Sequence, residues 1–210
     1  MAVFNYIRDP KEIYRRSFEA IASEASLERL PEQIRPVATR LIHSCGMVDV
    51  VDDLDYSENA VTEGQAALDN GAVIFTDVEM VKAGIIERFL PSRNPIVCTL
   101  NDDRVPNHAK AIGNTRSAAA VDFWQDRLEG SIVVIGNAPT ALFRLLELIA
   151  ERSGRPALII GVPVGFVGAV ESKQALADNS TEVNYITVHG RRGGSAMASS
   201  VLNGLAGGLS

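Results

Sequence analysis

Near the N-terminus the apolar positions recur at helical spacing. Ile13, Tyr14, Ile21 and Ala25 fall on one side of a helix expected from Pro10 to about residue 25, Arg15, Arg16 and Glu19 point elsewhere, and Ser17 and Phe18 flank the stripe. Asp9-Pro10-Lys11-Glu12 opens that helix with a capping residue, a proline at the first helical position and a glutamate three residues after the cap. A second helix is expected over 32–45, with Pro36 in its first turn or at a kink and Gly46 as its stop. From Ser57 onward the rhythm changes. Helical patterns near 58–70, 78–88, 116–128, 139–152, 169–178 and 195–206 alternate with short β-branched runs at 73–76, 96–100, 132–135, 157–160 and 183–188. Such alternation predicts an α/β fold with a five-stranded, mainly parallel sheet covered by helices on both faces. No repeat or linker interrupts it, so residues 1–210 are expected to form one domain, with only the glycine-rich stretch 204–210 expected to fray.

Composition narrows the partners. Hydrophobic residues make up 46% and charged residues 22%, the balance of an ordinary globule, and 20 basic against 26 acidic residues give a net charge of −6. A negative chain is a poor match for nucleic acid or an anionic membrane surface, so neither is expected as a partner, and any anionic ligand needs a local arginine cluster. Cys45 and Cys98 are too few and too far apart for a zinc ribbon or a disulfide framework, which suits a reducing compartment. The first ten residues carry neither a basic nor an apolar leader pattern, and no apolar run approaches a membrane span, so a soluble, cytoplasmic protein is expected.

In an open parallel sheet, ligands bind beyond the carboxyl ends of the strands. Here those ends are followed by Thr76-Asp77-Val78-Glu79-Met80, by Gly136-Asn137-Ala138-Pro139-Thr140, by the glycine-bearing stretch 161–168 and by His189-Gly190-Arg191-Arg192-Gly193-Gly194-Ser195. One such loop is an ordinary tight turn; four on one rim point to a binding site. Phosphate-loop readings fail, because Gly161, Gly165 and Gly168 give GxxxGxxG and no GxxxxGK[ST] occurs. Three histidines without HExxH or clustered cysteines give no metal site. His43 and Cys45 lie two apart, about 200° around a helix, which disfavours a dyad. His43 itself falls opposite the stripe of Ile34, Val37, Ala38, Leu41, Ile42 and Cys45, with Arg40 and Met47 near it, so it is either a solvated surface histidine or a working titratable group. His108 reads as part of a polar loop after Pro106, at the surface. Thr115-Arg116-Ser117 opens a helix where a carboxylate could meet amide N–H groups and a guanidinium, the alternative being a solvated cap.

Taken in order, Arg40-Leu41-Ile42-His43 with Gly46, 76–81, Gly113-Asn114-Thr115-Arg116-Ser117-Ala118-Ala119, 135–142, Gly161 to Gly168 with Glu171-Ser172-Lys173, and Gly190 with Gly193-Gly194-Ser195 resemble the precorrin-8X methylmutase family over essentially the whole chain. The resemblance implies a three-layer αβα fold with a Rossmann-like sheet and a homodimer. It implies an isomerase of cobalamin biosynthesis that needs no cofactor and moves a methyl group from C-11 to C-12 of precorrin-8X, giving hydrogenobyrinate. It further implies His43 as the catalytic proton donor and acceptor, and a corrinoid-binding set of Ser17, Arg40, Asp77, Met80, Thr115, Arg116, Ser117, Asn137, Pro139, Thr140 and Lys173. The alternatives are a cobalt-precorrin-8 methylmutase of the anaerobic route and a non-catalytic tetrapyrrole-binding protein of the same fold; a nucleotide or sugar-phosphate enzyme is disfavoured by the missing phosphate loop.

Overall fold

A computed structural model describes residues 4–178, 183–207 and 209. Asp9 caps α1 (Pro10–Glu24), its side chain accepting from the Lys11 amide at 3.0 Å. α2 (Arg35–Cys45) ends at Gly46, whose φ of 70° is the left-handed conformation that glycine tolerates and that a Cβ would strain. Then follow β1 (Leu54–Tyr56), α3 (Ala60–Asp69), β2 (Ile74–Thr76), α4 (Glu79–Gly84), β3 (Ile96–Cys98), α5 (Val105–Ile112), α6 (Arg116–Val121), β4 (Ile132–Ile135) and α7 (Pro139–Ala150). β5 (Leu158–Gly161), α8 (Ala169–Asp178), β6 (Tyr185–Val188) and α9 (Ser195–Gly207) complete the chain.

The sheet runs β1-β6-β5-β4-β2-β3, parallel throughout except for β1. Its period-two pleat divides the core. Ile74, Ile132, Val134, Leu158, Ile160 and Ile186 pack with α2, α3 and α9 on one face; Phe75, Val133, Ile135, Ile159 and Tyr185 pack with α7 and α8 on the other. Runs buried on both faces explain why the inner strands read as unbroken apolar stretches. α2 lies against α9, closely enough that a Cβ on Gly204 would sit 2.7 Å from the Val37 Cα. The C-terminal end of α2 then meets the N-terminal end of α9, where Met47 and Met197 line one depression of about 310 Å³ with Val164 and Phe166. That junction is the carboxyl rim of the sheet.

Several expectations need correction. A sixth strand, β1, pairs antiparallel with β6; at three residues with an aspartate in the middle, Leu54-Asp55-Tyr56 carries almost no strand pattern of its own and is held by its neighbour. The segment around His108 is helix α5, with Pro106 in its first turn, where the missing N–H costs nothing. The expected helices at 78–88 and 116–128 are shorter α-helices, α4 and α6, followed by 3₁₀ turns at Glu87–Phe89 and Asp122–Arg127. On α1 only Ile21 is buried, while Ile13 and Tyr14 are 46% and 44% exposed, so half of the predicted apolar stripe faces outward. The 204–210 stretch is helical to Gly207 rather than frayed, and Gly208 and Ser210, like Met1–Val3, lie outside the described residues. Among the described residues, no helix is long and apolar enough to cross a membrane.

Candidate functional site

The residues singled out from the sequence gather into two groups on opposite layers of the sheet. The first is built on α1 and α2. The helical wheel placed His43 opposite the buried stripe, and it is exposed, on the last turn of α2. The Ser17 hydroxyl of α1 lies 2.8 Å from its Nδ1, and the rings of Tyr14 and Phe18 stand 5.6 and 5.4 Å from the imidazole, Phe18 edge-on. Tyr14, Ser17 and Phe18 fall within one turn and a quarter of α1, so one helix face frames the imidazole on its own. Burial by these neighbours, helped by the positive charge of Arg40, pushes the His43 pKa below that of ordinary imidazole and favours the neutral ring near pH 7.

Arg40 departs from its expected exposure. It is 6% exposed, with its guanidinium 5.8 Å from the Phe18 ring and 4.7 Å from the Phe89 ring. Phe89 and Arg88 join this corner from the turn after α4, a contribution the sequence does not signal, because it depends on where that turn lands. Tyr14 and Phe18 were visible as an i, i+4 pair, and their ring centroids are 5.8 Å apart.

The second group is set by backbone geometry at the openings of α6 and α7. Thr115 caps α6, accepting from the Ala118 amide at 3.1 Å, and its hydroxyl lies 2.8 Å from that of Thr140. Arg116 is exposed and reaches the Leu100 carbonyl at 3.3 Å, Ser117 follows it half-buried, and Asn137 is exposed beside half-buried Pro139. Asp77 holds the turn that opens α7: one oxygen accepts from Gly136 N at 3.0 Å, the other from Asn137 N and Ala138 N at 2.9 and 2.8 Å. Burial raises its pKa, while the three amide donors oppose the rise. At 2% exposure and with both oxygens engaged, Asp77 holds the turn that opens α7.

Lys173 is buried as well. Its side chain is fully buried on α8 and donates to the Arg192 carbonyl at 2.8 Å, so it ties α8 to the loop leading into α9; burial lowers its pKa to about 8. Arg192 in turn pairs with Asp49 and Asp53, fixing the same loop from the other side. Met80, 72% exposed at the start of α4, offers an apolar surface on the rim. His108 is not a bare surface residue: its Nε2 lies 2.6 Å from Asp122, which also takes the Arg144 Nε at 2.6 Å. Among the described residues, no group of three or more His, Cys, Asp or Glu side chains could hold a metal ion.

Comparison with known proteins places this chain in a family. The family model described as Precorrin-8X methylmutase matches residues 12–207. A precorrin-8X methylmutase of Pseudomonas aeruginosa is 54% identical over 204 residues, 97% of this chain and 98% of that protein. Another, of a Sinorhizobium species, is 50% identical over 206 residues, 98% of each. Among solved structures, a precorrin-8x methyl mutase from Thermus thermophilus superposes with a TM-score of 0.84 at 35% identity, covering 93% of this chain and 94% of that one.

Proposed function

The chain belongs to the precorrin-8X methylmutase family, and from that premise we propose that it is an isomerase that moves a methyl group from C-11 to C-12 of precorrin-8X, giving hydrogenobyrinate for cobalamin biosynthesis. Substrate and product are isomers, so the step requires no net redox change. The C-11 to methyl bond breaks as the C-12 to methyl bond forms, and the protein's task is to hold the reactive tautomer and manage a ring proton. The observation that carries the reading is the Ser17–His43 pair in a chain of this family. With Nδ1 engaged by Ser17, Nε2 is the nitrogen available to the macrocycle, and its lowered pKa suits an imidazole that accepts and returns a proton near neutral pH.

Around that pair we assign substrate contacts to Ser17, Arg40, Met80, Thr115, Arg116, Ser117, Asn137, Pro139 and Thr140, while Asp77 and Lys173 hold the rim loops from beneath. Arg40 and Arg116 supply local positive charge that a chain of net charge −6 otherwise lacks for a polycarboxylate. We also infer a homodimer: Phe4, Tyr6, Phe166 and Val167 are 75%, 64%, 86% and 89% exposed, apolar surface that a second copy would cover. Sedimentation that found a fully active monomer at assay concentration would remove the dimer from this reading. The names of the two relatives reported above favour the metal-free substrate over its cobalt-bearing counterpart. Absorbance recorded while the protein is incubated with each substrate tests the whole reading: conversion of precorrin-8X is expected, and binding without any spectral conversion would make the protein a carrier instead.

A further inference from the structure

Ser199, Asn203 and Gly207 lie four residues apart on α9 and so form one ridge, which meets the end of α4 and the turn after it. A Cβ on Gly84 would lie 2.9 Å from the Ser199 Cβ, and one on Gly207 would lie 2.7 Å from the Phe89 Cδ2, so the packing is close at both ends of the ridge. Between them stands Asn203, 6% exposed, with both ends of its amide in use. Its Oδ1 accepts from the Ile86 N–H at 2.8 Å, and its Nδ2 donates to the Gly84 carbonyl at 2.9 Å. That carbonyl is one of the acceptors left over where α4 ends, so a single side chain both caps the helix and sets the path of the turn. The Phe89 amide donates to the Ile86 carbonyl at 2.9 Å, which extends the anchorage to the aromatic residue.

The anchored ring is the one that packs on Arg40, 4.7 Å from its guanidinium, and Arg40 precedes His43 by about one turn of α2. Arg40 also lies 5.8 Å from Phe18, whose ring stands edge-on to the imidazole. A line of contacts therefore runs from Asn203 through Phe89 and Arg40 to His43. We propose that Asn203 is a positioning residue for the methyl shift, acting through Phe89 to hold Arg40 at the corner where His43 meets the macrocycle. This rests on the isomerase reading above. The charged and titratable groups around that corner are Tyr14 beside the imidazole, Arg40 on its own helix, and Lys11, Arg15 and Arg88 along the adjoining groove, with Arg15 paired to Glu12 and Glu19. Burial lowers the His43 pKa, and the charge of Arg40 lowers it further. Release of the Phe89 ring loosens both, because the corner opens to water and the guanidinium is screened, so the pKa rises.

The test compares the wild-type chain with Asn203→Ala, Phe89→Leu, Phe89→Tyr and the double variant Asn203→Ala with Phe89→Leu, circular dichroism verifying that each is folded at the assay temperature. Two quantities are read: kcat and KM for precorrin-8X, and the His43 titration followed by NMR, assigned by its loss in His43→Asn. Asn203→Ala and Phe89→Leu are each expected to lower kcat by about tenfold with KM changed by less than about twofold, and to move the His43 titration upward. Phe89→Tyr keeps the ring and is expected within about twofold of wild type. Because the two residues act in series, the double variant is expected to lose no more than either single one. Losses that multiply, or a His43 titration unmoved in both single variants, overturn the role. An asparagine that only stabilised the fold would lower the unfolding temperature and leave the titration in place. Should Asn203→Ala fail to fold, Asn203→Ser, whose hydroxyl satisfies one of the two backbone groups, takes its place in every comparison. A wild-type chain that leaves precorrin-8X unconverted removes the isomerase reading, whereas the NMR titration alone decides whether Asn203 governs the imidazole, so the two failures are read separately.

Discussion

The α7 turn and the α2 terminus both present polar groups to the same rim, yet they are held by different means. At the turn, one buried carboxylate accepts from three consecutive backbone amides, so the geometry of Gly136, Asn137 and Ala138 is fixed through the main chain. At the α2 terminus, His43 is held by one hydroxyl and two rings, all side chains, at the exposed end of a helix. Backbone clamps suit a surface that must keep its shape; a lightly held imidazole suits a group that must gain and lose a proton. The two regions differ in what holds them, main-chain amides at one and side chains at the other.

That difference can be broken most severely at the clamp. Asp77→Ala strands three amide donors in a buried turn and is expected to cost about 3 kcal/mol of stability, at 1–3 kcal/mol for each unsatisfied buried group with partial relief from water, read as a shift in urea unfolding. A shift below about 1 kcal/mol would mean that the turn stands without its carboxylate. At His43 the outcome reverses: His43→Ala or His43→Asn leaves unfolding nearly unchanged and hydrogenobyrinate still bound, while turnover of precorrin-8X falls by about 100-fold or more. Near wild-type turnover with an unchanged pH profile ends the proton-handling role.

Smaller effects sharpen the contrast. Arg116→Ala should weaken product binding by about tenfold, since its loss removes one charge-assisted contact, and titrations that show no change would leave Arg116 an ordinary residue of the α6 opening. The smallest effect is a displacement of pH dependence. Because burial and Arg40 lower the His43 pKa, the acid limb of kcat/KM is expected below the ordinary imidazole value of about 6.5, and Arg40→Ala should move it upward. The sign carries over to stability: a histidine whose folded pKa is depressed contributes stability above the unfolded pKa, which is lost as pH falls through that range. A limb that stays in place in Arg40→Ala shows that the charge of Arg40 does not reach the ring.

Much of this was legible before any coordinates, and what was not has identifiable causes. The caps at Asp9 and Thr115, the stop at Gly46 and the outward position of His43 all depend on residues within a few positions of one another. Helix α5 was missed because proline before a polar stretch also reads as a loop, and β1 because three residues beside an edge strand gain their conformation from β6. Arg40 was placed on an exposed face by its own helix, but Phe18 and Phe89 come from elsewhere and cover it.

By itself, therefore, the sequence determined the alternation of helix and strand, the two faces of the sheet and the residue types gathered on its rim, since hydrophobic period and capping are properties of ten or so neighbouring residues. The tertiary structure decided the strand order, the antiparallel edge and the partners of each polar group. Ser17 lies 26 positions from His43, and Asp77 lies 59 to 61 positions from the amides it holds. No local pattern encodes such pairs: they form because helices and turns pack against the sheet, and only that packing sets which side chains are buried together and which protonation state each one keeps.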